Sequence, residues 1–71
     1  MKIDMLGVQA FVAVADQGGF GRAADTLNIT QTALSRRLKT LEDFLGVRLV
    51  ERTTRSVALT DIGENFLPQA R

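Results

Sequence analysis

Four leucines, Leu34, Leu38, Leu41 and Leu45, recur at the spacing of a helical stripe, in a segment whose other residues are mostly polar. On a helix stepping about 100° per residue, Gln31, Thr32, Ser35, Arg36 and Lys39 fall in one sector of roughly 140°. The leucines occupy a separate, narrower sector. One face must therefore be buried, while the other offers an amide, two hydroxyls and two cations. Such a helix is suited to lie in a DNA groove.

The flanks set the limits of this helix. Asn28 tolerates the left-handed conformation that closes a preceding helix, Ile29 can plug the turn, and Thr30 is a good N-cap. Gly46 is the stop signal, so the helix is expected over 31–45. Upstream, Val8, Phe11, Val14 and Ala15 predict a first helix over about residues 4–17, ended by Gln17-Gly18-Gly19. Phe20, Ala23, Ala24 and Leu27 predict a shorter second one. Two helices joined by a three-residue turn form a helix-turn-helix. The expected core is Val8, Phe11, Val14, Leu27, Ile29, Leu34, Leu38 and Leu41.

Downstream, Val47, Leu49 and the alternation through Arg52 suggest one strand, and Val57-Ala58-Leu59 a second, around the polar turn 53–56. Thr60-Asp61 starts a last helix, which Pro68 is expected to kink. The order predicts a mainly α, winged helix-turn-helix fold: a three-helix core, a two-stranded wing and the start of a C-terminal linker helix. Residues 1–59 form the domain and 60–71 the linker.

With 71 residues the chain supports one small domain near the lower limit of what a single core sustains. It has no cysteine and no histidine, which removes disulfides, zinc–thiolate sites and the commonest general base. Glu42 and Asp43 are adjacent, and adjacent helical residues do not face each other, so no catalytic pair forms. Neither a catalytic site, a metal site nor a cofactor is expected. No apolar run approaches a bilayer span and the start lacks a signal-peptide core, so a soluble cytoplasmic protein is expected. The formal net charge is only +1, but it is unevenly spread. Residues 35–56 hold Arg36, Arg37, Lys39, Arg48, Arg52 and Arg55 against Glu42, Asp43 and Glu51, while both flanks are net negative. The positive centre is where a polyanion would be met.

A series of short segments makes the assignment more specific. Phe11-Val12-Ala13-Val14-Ala15, Phe20 with Arg22-Ala23-Ala24, Gln31 with Ala33-Leu34-Ser35-Arg36, Leu41-Glu42, Leu45-Gly46-Val47-Arg48-Leu49, Glu51-Arg52 and Leu59-Thr60 follow in order and without gaps. Together they resemble the N-terminal DNA-binding domain of LysR-type transcriptional regulators, over essentially the whole chain. The resemblance implies double-stranded DNA as partner. It also implies a linker helix followed by a C-terminal domain that senses a small effector, and the 71 residues contain no such domain. Departures from the family's habit are Thr32, where similar proteins often carry proline, and Gly19 and Gly21, where they tend to carry Ser or Thr around Phe20.

Candidate base contacts are Gln31, whose amide fits the N6 and N7 edge of adenine, then Thr32, Ser35 and Arg36. Thr30 and Lys39 are candidate phosphate contacts, and by resemblance Arg52, Thr53 and Arg55 on the wing would meet backbone or minor groove. Each also has a plain alternative as a solvated charge or a hydroxyl bonded to local backbone. Arg37 lies away from the polar face. Ile62, Phe66 and Leu67 are the candidate homodimer surface on the last helix, and a twofold dimer would suit an interrupted palindromic operator. Two rival readings remain: a winged-helix protein-interaction module, and a DNA binder indifferent to sequence.

Overall fold

The structure, a computed structural model, describes residues 5–52 and 57–71. Its elements are α1 (Met5–Gln17), α2 (Phe20–Leu27), α3 (Gln31–Leu45), β1 (Val50–Arg52), β2 (Val57–Leu59) and α4 (Asp61–Ala70). The expected turn at 53–56, and with it Thr53 and Arg55, lies outside the described residues, and so does the start of the first helix before Met5.

The helix boundaries follow local chemistry. α1 ends at Gly18, whose φ of 73° is a left-handed conformation that glycine adopts without steric cost. Asn28 closes α2 at φ 62°, with cap N–H groups reaching the carbonyls of Ala24 and Asp25. Thr30 then starts α3, its hydroxyl oxygen accepting from the Ala33 N–H at 3.0 Å. Gly46 ends α3 at φ 73°, donating back to the Glu42 carbonyl. α4 starts at Thr60 by the same capping chemistry and runs through Pro68 without a break in the helix assignment.

α1 packs against both α2 and α3, and α4 and β2 close over its remaining side. The leucine stripe is buried as its spacing requires: Leu34, Leu38 and Leu41 are at most 3% exposed, and Leu45 is half-buried. They meet Val8, Phe11 and Val14 of α1. The helices come closest at Gly7, where an added Cβ would lie 2.8 Å from the Leu41 Cβ and 2.9 Å from the Arg37 carbonyl oxygen. Only glycine allows α1 this near to α3.

Two core expectations need correction. Leu27 and Ile29 are only half-buried, and small residues take the deep positions instead: Ala10, Ala13, Ala23 and Ala24. Helices that approach closely have room for a methyl group between them but none for a leucine. The first strand is also shorter than the alternation suggests: regular pairing begins at Val50, with one further bond from the Thr60 N–H to the Leu49 carbonyl at 3.0 Å.

Glu42 explains that shortening. Its carboxylate accepts from the backbone N–H groups of Leu49, at 2.7 Å, and Val50, at 3.2 Å. Gly46 and Val47 both donate to the Glu42 carbonyl, so one residue gathers four amides of residues 46–50 against α3. Leu49 and Val50 are buried in succession, which a regular alternating strand would not permit. Beyond them β1 pairs antiparallel with β2 in the register Val50↔Leu59, Glu51↔Ala58, Arg52↔Val57.

Thr60 and Gly63 fasten α4 to the same connection. The Thr60 hydroxyl donates to the Arg48 carbonyl at 2.7 Å and its oxygen accepts from the Gly63 N–H. Gly63 is buried where a Cβ would collide with the Leu49 carbonyl oxygen. Further along, the Phe66 ring tilts against Phe11 with centroids 5.7 Å apart. Arg71 pairs with Asp16 at 2.5 Å.

Replacing Glu42 with alanine strips two partly buried N–H groups of a charged acceptor. The variant is expected to lose about 1–3 kcal/mol of unfolding free energy, read from its denaturant midpoint.

Candidate nucleic-acid interface

With its leucines buried, α3 turns its polar sector outward. Gln31, Thr32, Arg36 and Lys39 are exposed and Ser35 is half-buried. Thr32, Ser35, Arg36 and Lys39 line one wall of an open groove of about 960 Å³, whose opposite wall is formed by Gly46, Val47, Arg48 and Val50. The groove thus runs between the exposed face of α3 and the connection that Glu42 holds in place.

The charges along it are not equivalent. Lys39 lies 3.6 Å from Asp43, one helical turn on, and both are largely exposed. An exposed pair of this type contributes at most about 1 kcal/mol and is screened by salt, so Lys39 can be recruited by another anion at little cost. Arg36 makes no ion pair among the described residues, and neither does Arg48. Glu42 and Asp43 also line the groove, and Glu42 directs one carboxylate oxygen, Oε2, at the backbone of Leu49 and Val50.

Thr30 sits at the edge of this face, its oxygen engaged as the α3 cap and its own proton left as a donor. Gln31 stands at the first position of α3, outside the groove lining, with its amide against the first turn of α2. The backbone of Arg52 is in β1, opposite Val57, at the base of the hairpin. Arg37 is half-buried and contributes its carbonyl to the close approach at Gly7, in keeping with its place off the polar sector.

The three residues of the expected dimer surface do not share one environment. Ile62 is 49% exposed, whereas Phe66 and Leu67 are half-buried against the domain's own core, Phe66 through its contact with Phe11.

Two contributors escaped the sequence reading. Arg48 figures in the sequence in the charge balance and in a family segment but not as a DNA contact, although it lines the groove together with Arg36 and Lys39. Nothing in its local spacing marks it, because its position follows from the irregular connection. In the sequence Glu42 counts toward the charge balance, the family segments and a discounted carboxylate pair, but not as a backbone anchor. Its place one turn ahead of Gly46 is the signal that puts it within reach of the chain reversal.

Among the described residues no cluster of three or more histidine, cysteine, aspartate or glutamate side chains could hold a metal ion. No helix among them is long and apolar enough to cross a membrane.

Comparison with known proteins agrees with this geometry. Residues 6–64 match the pattern of the bacterial regulatory helix-turn-helix proteins of the lysR family. The uncharacterized HTH-type transcriptional regulator YbhD of Escherichia coli K12 is 51% identical over 71 residues, which is all of this chain and 22% of that protein. The oxidized form of Corynebacterium glutamicum OxyR superimposes with a TM-score of 0.94 at 43% identity, covering 99% of this chain and 22% of that one. The BenM DNA-binding domain, in complex with catB site 1 DNA, gives a TM-score of 0.89 at 40% identity over 94% of this chain and 75% of that one. The chain therefore spans about a fifth of the length of its full-length relatives.

Proposed function

Because the chain belongs to the lysR family of bacterial regulatory helix-turn-helix proteins, we propose that it recognises double-stranded DNA by sequence, with α3 in the major groove. The observation that carries this reading is the polar face itself. A capped helix, fixed by leucines on one side, presents Gln31, Thr32, Ser35, Arg36 and Lys39 together on the other.

Roles follow from reach and chemistry. Gln31, at the N-terminal end of α3 where a recognition helix meets base edges, can donate to N7 and accept from N6 of adenine. Thr32 and Ser35 are short and read bases or phosphates only where the helix lies deep. Arg36 can fork onto guanine, or bridge to phosphate. The groove between α3 and residues 46–50 has the form of a track for one phosphate strand, with Lys39 and Arg48 on opposite walls. Thr30 would donate its free proton at the near end of that strand. The hairpin, through Arg52, Thr53 and Arg55, would extend the contact to the neighbouring backbone or minor groove.

The polar face supports this reading over a protein-interaction module. Its exposed groups are donors and cations suited to an anionic, edge-presenting partner, and of the large apolar side chains of α3 only Phe44, outside that polar sector, is exposed while the leucines are used by the core. A twofold dimer paired along the outer side of α4, with Ile62 as its apolar element, would present two α3 helices to an interrupted palindrome. The place of action would be the bacterial cytoplasm.

Selection from a random duplex library tests the central claim. The chain is expected to enrich one motif and to bind it far more tightly than random duplex at the same salt. Gln31→Ala should relax preference at a single base pair, with a loss of about 1–3 kcal/mol there. An unchanged preference at every position removes Gln31 from the reading. Lys39→Ala should weaken all sequences alike and lower the slope of log affinity against log salt by about 0.9, whereas Asp43→Asn should strengthen all of them. For the dimer, Ile62→Glu is expected to lower dimer content in sedimentation without unfolding the domain, since the side chain is half exposed. Equal dimer content would reject that interface.

A further inference from the structure

Gly21 is a glycine without a backbone reason. It lies inside α2, where glycine is a poor helix former, and its φ is not in the left-handed region. Nor does close packing require it. A Cβ built there meets nothing within 4 Å except the side chain of Gln31, whose amide nitrogen lies at 3.4 Å and amide carbon at 4.0 Å. Those are ordinary van der Waals distances, so the position would accept a methyl group without displacing its neighbours. Gly63 and Gly7, by contrast, face backbone and core atoms at distances no side chain tolerates. Apart from the helix propensity of α2, the missing side chain at 21 therefore bears on one neighbour, the Gln31 amide.

That amide makes no hydrogen bond among the described residues, and it is exposed. With no side chain at 21, the amide lies over the first turn of α2 without a methyl to pack against, and its other rotamers stay open to it. Bidentate pairing with a base selects one of them and gives up the others, a cost set against discrimination at that base pair. We propose that Gly21 is a specificity-determining position: by leaving the Gln31 amide unsupported, it holds down the sharpness with which Gln31 reads its base. This rests on the reading of Gln31 as a base contact. A methyl group at 21 would pack against the amide at about that 3.4 Å distance and hold it in the position it takes here, the one from which it would read the base.

The test is a base-resolved binding profile on a random duplex library for the unaltered chain, Gly21→Ala, Gln31→Ala and the double variant, with thermal unfolding measured alongside. Gly21→Ala is expected to raise discrimination about threefold at the one base pair that Gln31→Ala relaxes, and nowhere else. In the Gln31→Ala background the same change should leave the profile unaltered. A purely structural effect, through a firmer α2, would change the melting temperature and scale all affinities together without reshaping the profile. Unchanged or lower discrimination at that base pair overturns the proposal, as does a gain that survives without Gln31. A flat response to Gln31→Ala alone would instead overturn the base contact itself, and this inference with it.

Discussion

The outward chemistry of α3 depends on how closely that helix is pressed onto α1 at Gly7. With no side chain there, the α1 backbone reaches the Leu41 Cβ and the Arg37 carbonyl, and the leucine stripe closes over Phe11 and Val14 without a gap. A domain this small has few apolar contacts to spend, so the orientation of its exposed helix cannot be left to loops. The rotation of α3 about its own axis is set by which residues fit beneath it. A turn of about 100°, one residue's worth, would bury Gln31's neighbours and expose leucine. Burial on one side is what gives the other side a fixed direction.

From α3 the constraint passes through Glu42. A carboxylate that looks like a surface charge binds Leu49 and Val50 by their amides, and through them fixes where the hairpin begins and where Arg48 stands. Thr60 and Gly63 then tie α4 to the same short stretch of backbone. The connection after Gly46 is irregular in conformation but heavily bonded. It acts as the common joint between the exposed helix, the hairpin and the final helix.

Much of this was legible in the residues. Asn28, Thr30, Gly46 and Thr60 marked helix ends because each satisfies orphaned backbone groups by a local rule, and local rules can be read from a few neighbours. The leucine stripe marked α3 for the same reason, and the ordered motifs pointed to the family that residues 6–64 match. What escaped depends on residues distant in sequence. Leu27 and Ile29 look like core by type, yet they pack at its edge, and alanines of α1 and α2 hold the fully buried positions. Val47 and Leu49 alternate like a strand, yet a side chain seven residues before Leu49 claims its amide. Arg48 gained a place in the groove by the same route. Phe66 and Leu67, read as an outer apolar face, pack against the inner core, Phe66 through its ring contact with the buried Phe11.

The two contacts that join α4 to α1 have a mechanical consequence. Phe66 meets Phe11 and Arg71 meets Asp16, so the two helices keep one register and run in the same direction over these contacts. One contact is apolar and inner, the other ionic and outer, and together they resist both separation and sliding. The ionic contact is exposed and contributes at most about 1 kcal/mol, so the inner ring contact carries most of the seating. α4 thus sits on the same helix that seats α3 at Gly7, and α1 is the shared bed of the first and last surfaces of the domain.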